Sequence, residues 1–264
     1  PLLILHGGPG TPHDYLEPLE ALADERPIIF YDQLGCGKSE RPDDVNLWFS
    51  ERFVEELGQI REALGLKQVH IFGHSWGSML AVDYALTRPE GLVSLILASP
   101  PLCIARWLQD AADYRSRLPL EVQNILDRHE AAGTTDSEDY QWATMEYYRR
   151  HICRLKPWPD SLERARAAEG TVVYQTMWGP TEFFMTGNLL NYDRTARLHE
   201  INVPTLFTCG RYDEATPEAT AWYQSFIPGS EMVCFEHSAH MPHLEETKGY
   251  LRVVRGFLDR VEQR

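Results

Sequence analysis

Val69-His70-Ile71-Phe72-Gly73-His74-Ser75-Trp76-Gly77-Ser78-Met79-Leu80-Ala81-Val82-Asp83-Tyr84-Ala85-Leu86 is the stretch from which the chain is best read. It opens with an apolar run of strand character, closes with a helical run, and sets a serine among glycines between them. A serine held at a strand-to-helix turn of this kind sits on a nucleophile elbow. The turn is tight, so side chains at Gly73 or Gly77 would collide with neighbouring backbone. Strain lifts the Ser75 hydroxyl above the sheet at the N-terminus of the following helix, whose dipole favours developing negative charge. The five-residue pattern alone recurs by chance in unrelated chains. The strand before it and the helix after it give it meaning.

A partner motif stands at the start. Leu2-Leu3-Ile4-Leu5 reads as a short buried strand and runs into His6-Gly7-Gly8-Pro9-Gly10. Glycine and proline mark ordinary turns. Ahead of an elbow, however, a His-Gly-Gly loop is where lipases and esterases place a backbone N–H that faces an oxyanion. Gly8 is the expected first donor, and Trp76, the residue after the nucleophile, the second.

Working outward, strand-like runs at Leu2–Leu5, Ile28–Tyr31, Val69–Phe72, Leu92–Ala98, Thr205–Cys209 and Met232–Phe235 alternate with helical patterns. The helical patterns cover about Tyr15–Ala23, Ser50–Leu64, Trp76–Thr87, Pro217–Phe226 and Leu244–Val261. Alternation of this kind predicts an α/β protein with a mostly parallel sheet wrapped by helices. With an elbow in the middle, the expected architecture is the α/β-hydrolase fold. Between Pro100 and Ile201 no buried strand is evident, and helix formers, aromatics and charges dominate. The expected organisation is a core domain of residues 1–100 and 201–264 with a helical cap domain of residues 101–200 inserted over the active site.

In this fold the acid and the histidine follow the serine in that order. Asp213 stands at the end of the strand-like run Thr205–Cys209, where open α/β sheets carry their sites. The last strand feeds Glu236-His237-Ser238-Ala239-His240. His240 is the expected base. His237, nearer the strand, and His243, at the start of the last helix, are its rivals. Ser75, Asp213 and His240 form the expected catalytic set.

The formal net charge of −14 argues against a nucleic-acid partner. Acidity suits cationic peptide N-termini, although solubility is the plainer account. Five cysteines, an odd number at no zinc-like spacing, read as free thiols in a reducing compartment, so a cytoplasmic protein is expected. No metal or other cofactor is expected. No apolar run approaches a membrane span, and no signal peptide is visible.

His6-Gly7-Gly8-Pro9-Gly10, Asp32-Gln33-Leu34-Gly35-Cys36-Gly37-Lys38-Ser39, Gly73-His74-Ser75-Trp76-Gly77-Ser78 and Gly179-Pro180-Thr181-Glu182-Phe183 together resemble the proline iminopeptidases. These are serine aminopeptidases of the α/β-hydrolase fold, and the resemblance runs from residue 2 to the C-terminus. Generic esterases lack the second and fourth segments. Family members carry further leading strands before the one that opens this chain, which suggests a truncated N-terminus or an unusual sheet edge. Read alone, Glu182 is a helix-start residue and Glu214 a loop charge beside the acid, expected to point into the same cleft. The resemblance implies that both hold the free α-amine of the substrate. It also places Tyr15 and Tyr174 near the substrate. The implied activity is release of an N-terminal proline or other small or apolar residue from a short peptide or aminoacyl amide through an acyl-enzyme. An amino-acid amidase or esterase on the same scaffold is the alternative, and a non-catalytic binding protein a more distant one. Oligomeric state is not legible.

Overall fold

The apolar runs become six strands: β1 (Leu2–Leu5), β2 (Ile28–Phe30), β3 (Val69–His74), β4 (Leu92–Ala98), β5 (Thr205–Gly210) and β6 (Glu231–Phe235). In the computed structural model, which describes residues 1–263, they form one sheet in the order β2-β1-β3-β4-β5-β6. Every pairing is parallel. Parallel strands need crossovers, and the crossovers cover both faces, so the central strands read as continuous apolar runs. Leu3, Leu5, Ile71, Leu95, Leu97 and Phe207 pack with helices α1 (Ser50–Ala63), α2 (Trp76–Leu86) and α8 (Pro217–Ser225). Leu2, Ile4, Phe72, Ile96 and Leu206 pack on the other face with the segment His13–Leu22 and with α10 (Thr247–Glu262). Each fully buried side chain of this size contributes about 1.5–3 kcal/mol.

Two helices differ from the sequence expectation. The first, expected near Tyr15–Ala23, is a 3-10 helix over His13–Leu22. Pro18 lies inside it and removes a backbone donor that an α-helix needs. The last, expected as one element from Leu244, is split into a single turn, α9 (Pro242–Glu245), and α10. Glu246 between them has φ −127° and ψ 45°, outside the helical region. Its carboxylate is drawn back to His237 N–H (2.9 Å) and the Ser238 hydroxyl (2.6 Å).

Between β4 and β5 run α3 (Ile104–Ser116), α4 (Leu120–Ala132), α5 (Glu138–His151), α6 (Asp160–Ala167) and α7 (Thr171–Met177). Leu118, Val122, Leu126, Tyr140 and Tyr147 give this insertion a buried cluster of its own. The α6–α7 connection is stitched to the loops after β1 and β2. Gly170 N–H bonds Gly10 O (2.9 Å), Gly37 N–H bonds Ala168 O (3.1 Å) and Arg41 bonds Ala168 O (2.7 Å). Among the described residues no helix is long and apolar enough to cross a membrane.

The strand order reverses direction once. From β1 the chain steps outward to β2, then returns to the other side for β3 and everything after it. The carboxyl ends of β1 and β3 therefore flank the switch point, where open α/β sheets bind ligands. Gly77 lets the two ends meet, because a Cβ there would run into the carbonyls of Leu5 and His6. Gly77→Ala is expected to destabilise the protein by about 1–3 kcal/mol through overpacking. A melting temperature equal to that of the parent would show that α2 can shift away from β1 at no cost.

Candidate active site

The elbow forms as its sequence dictates. Ser75 has φ 54° and ψ −122°, a strained conformation for a residue with a side chain. A Cβ at Gly73 would strike the backbone of Gly77 and Ser78, so this pair of positions has to carry glycine. Ser75 N–H bonds Ala98 O (2.9 Å), which pins the turn to the end of β4. Ser75 faces a cavity of about 250 Å³. Gly7, Gly8 and His240 share its wall with Tyr148, Trp158, Tyr174 and Glu182 of the insertion.

Asp213 sits in the turn after β5, 0 % exposed. Its Oδ1 accepts from His240 Nδ1 (2.7 Å) and Ala215 N–H (2.8 Å). Its Oδ2 accepts from the Ser99 hydroxyl (2.6 Å) and Gly210 N–H (3.3 Å). A carboxylate surrounded only by donors is held in one orientation. Because Asp213 takes the Nδ1 proton, the free ring nitrogen of neutral His240 is Nε2, the form a general base requires. Ser75 and His240 line the same cavity without a direct hydrogen bond, and such contacts tighten when substrate binds.

His237 is exposed, and its N–H is committed to Glu246. His243 is buried in α9 against the rings of Tyr15 and His74. Neither contacts Asp213. Burial pushes the His243 imidazole down to about 3.

At the other side of Ser75, the Gly8 N–H has no protein acceptor among the described residues. The Trp76 N–H opens α2, where no intrahelical acceptor exists. Both amides are thus available to an oxyanion. Gln33 ties the segments that carry them: its amide N–H bonds His6 O (3.0 Å) and its Oε1 accepts from the Trp76 indole (2.9 Å). Tyr15 Oη contacts Gly7 N–H (2.8 Å) and His74 Nδ1 (2.8 Å), and His74 Nε2 contacts His240 O (2.8 Å).

Glu182 lies in the turn after α7, closed by a bridge between Thr181 and Phe184. It is not a helix-start residue. Its Oε1 accepts from the Tyr174 hydroxyl (2.7 Å), while its Oε2 has no partner among the described residues. Burial pushes its carboxyl up to about 7, against the opposing pull of the Tyr174 bond. Glu214 is 1 % exposed, and the Tyr147 hydroxyl faces its carboxyl without forming a hydrogen bond of full geometry. Burial, then the charges of Glu182 and Asp213, drive its carboxyl well above the usual range. Glu214 stands close enough to Glu182 to feel its charge.

Sequence reasoning passed over Ser99, Gln33 and His74 as individuals. Gln33 was visible only as part of a recognised segment, and nothing about a serine after β4 marks it as a partner of Asp213. Ser99 has φ 51°, the one unusual feature of its backbone, and that appears only in the structure. Among the described residues no group of three or more His, Cys, Asp or Glu is arranged to hold a metal.

Comparison with known proteins bears on this geometry. A family model described as the alpha/beta hydrolase fold matches residues 1–247. A proline iminopeptidase of Heyndrickxia coagulans is 50% identical over 262 residues, spanning 99% of this chain and 91% of that protein. The crystal structure of a proline iminopeptidase from Mycobacterium smegmatis superposes with a TM-score of 0.92 at 40% identity, over 100% of this chain and 90% of that one. The crystal structure of VinJ superposes with a TM-score of 0.95 at 38% identity, again over 100% and 90% of the two chains.

The raised carboxyls of Glu182 and Glu214 carry a stability signature. A buried acid with its folded value raised to about 7 binds a proton in the folded state that the unfolded chain releases near 4.5. Its contribution to stability therefore falls as pH rises from the unfolded value through the folded one. Glu182→Gln is expected to make the dependence of unfolding free energy on pH less negative across that window. Denaturant titrations at a series of pH values check this, and parallel curves for the two proteins would contradict it.

Proposed function

The chain belongs to the α/β-hydrolase fold family and, within it, to the proline iminopeptidases, which makes it a serine aminopeptidase, and from that premise we propose how its residues divide the work. Ser75 attacks the carbonyl of the substrate's N-terminal residue. His240 takes the hydroxyl proton through Nε2, and Asp213 holds the tautomer and stabilises the imidazolium. The N–H groups of Gly8 and Trp76 hold the oxyanion. Loss of one such donor raises a barrier of this kind by about 3–4 kcal/mol. His240 then protonates the leaving amine, and water, activated by the same imidazole, releases the acyl group.

Glu182 and Glu214 receive the substrate's ammonium group. The observation that carries this reading is the pair of buried carboxylates with unpartnered oxygens beside the triad. Unpaired buried charge is costly, and an arriving cation removes the cost. Tyr174 orients Glu182 through its hydroxyl. Residues 101–200 act as the cap that closes the cavity upstream of the first residue and confines the enzyme to free N-termini. The substrate is a short peptide or aminoacyl amide with a free amine, its first residue proline or another small or apolar residue.

Ser75→Ala is expected to abolish turnover and labelling by a fluorophosphonate probe. Glu182→Gln and Glu214→Gln are each expected to lower kcat/KM for proline amide about 10–100-fold, the size of a lost charged hydrogen bond. Neither substitution is expected to change hydrolysis of p-nitrophenyl acetate by more than about 3-fold, since that ester has no amine to hold. Full activity of the double variant on proline amide would sink amine capture. Equal cleavage of free and N-acetylated prolyl substrates would point to the esterase or amidase reading instead.

A further inference from the structure

We propose that the Tyr15 hydroxyl is a positioning group for the reaction: it sets the spacing of the two oxyanion donors by holding the Gly7–Gly8 loop to the elbow. The inference rests on the assignment of Ser75, Gly8 and Trp76 above and goes beyond it. It adds a role to the expectation that Tyr15 stands near the substrate, whose cavity it lines.

The His240 carbonyl can only accept. His74 Nε2 lies 2.8 Å from His240 O, so that nitrogen carries the proton. Burial, with His240 and His243 alongside, drives the His74 imidazole well below its ordinary range, so the ring is neutral and Nδ1 is bare. Nδ1 must then accept, and its partner at 2.8 Å is Tyr15 Oη, which therefore donates. Tyr15 Oη in turn accepts from Gly7 N–H at 2.8 Å. Every link has one permitted direction: Gly7 N–H to Tyr15, Tyr15 O–H to His74, His74 N–H to the His240 carbonyl. The only proton on the Tyr15 oxygen is spent inside the protein. The hydroxyl cannot also donate to a substrate while this chain of bonds is intact.

Position then gives the role. Gly7 directly precedes Gly8, and His74 stands just ahead of Ser75 and Trp76. The two amides aimed at the oxyanion thus belong to separate loops, after β1 and after β3, and one buried hydroxyl joins those loops. The same chain ends on the backbone of the residue that acts as base. With the hydroxyl removed, Gly7 N–H and His74 Nδ1 lose their partner, and both lie in a fully buried setting. The loop is then free to drift by fractions of an ångström. That tolerance matters little for binding an amine and much for a donor that must meet a developing charge.

The test is Tyr15→Phe, which keeps the ring and deletes the oxygen. With proline p-nitroanilide, kcat is expected to fall about 100-fold while KM stays within about 2-fold. The fall on p-nitrophenyl acetate is expected to be comparable, because the oxyanion is common to both reactions. Prolyl boronic acid, which forms a tetrahedral adduct on the serine, is expected to lose affinity by a similar factor. Prolinol, which carries the amine and no carbonyl, is expected to bind as before. His74→Phe cuts the same chain one link later and serves as the second variant, with the same split expected. A kcat within about 2-fold of the parent in both variants would overturn the proposal, and so would equal weakening of boronate and prolinol. Fluorophosphonate labelling of Ser75 in the parent separates the two levels. Its absence removes the site assignment itself, whereas a labelled serine with unchanged kcat in the variants removes only the role given to Tyr15.

Discussion

A carboxylate with no access to water lies at the centre of this molecule, and its satisfaction constrains much of what surrounds it. Burying a charge costs several kcal/mol unless hydrogen bonds replace its hydration. Asp213 meets that demand with donors from the end of β4 (Ser99), the end of β5 (Gly210), its own turn (Ala215) and the loop after β6 (His240). Those donors converge only if β4, β5 and β6 end at matching heights. The parallel register that pairs Ala98 with Thr208 and Gly210 with Phe235 supplies that match. Ser99 also bonds His240 O (3.2 Å), so the acid and the base share one support.

The next residue in sequence meets the opposite fate. Glu214 is as deeply buried as Asp213 and has neither oxygen satisfied, and Glu182 is only half satisfied. The contrast is one of donors. Backbone N–H groups, a hydroxyl and an imidazole surround position 213, whereas position 214 adjoins other acids and only the Tyr147 hydroxyl. The first arrangement gives both carboxyl oxygens hydrogen-bond donors. The second leaves carboxyl oxygens without a full hydrogen bond. The histidines add no positive charge of their own at these points, since burial keeps His6, His74 and His243 neutral.

Close backbone approach is the third constraint. The carboxyl ends of β1 and β3 face each other because Gly77 has no side chain to part them. Gln33 and Tyr15 then brace the joint with hydrogen bonds on either side. The Asp32 carboxylate does the same for the loop after β2. It accepts from His13 Nδ1 (2.7 Å) and Lys38 N–H (2.9 Å), and the His13 bond helps hold its carboxyl well below the usual range despite the cost of burial. The recognisable segments of the chain are thus segments of mechanical contact around one crevice.

The amino-acid sequence alone determined the sheet, the elbow and the strand-end positions of Asp213 and His240. Those features are written locally, in apolar runs of strand length, in glycines that a tight turn demands, and in the positions of Asp213 and His240 just beyond strand ends. It also marked the helices between β4 and β5, because buried strands leave a mark that this segment lacks. The 3-10 character of His13–Leu22 and the break at Glu246 escaped it, since one proline and one carboxylate overrode an otherwise helical pattern. Tertiary structure alone decided that His240 rather than His237 or His243 meets Asp213, and that Ser99 and Gln33 support the site. Those outcomes depend on distances between residues far apart in the chain. A hydrogen bond between positions 99 and 213, or 33 and 76, leaves no periodicity in the sequence, because it exists only once the strands have been brought side by side.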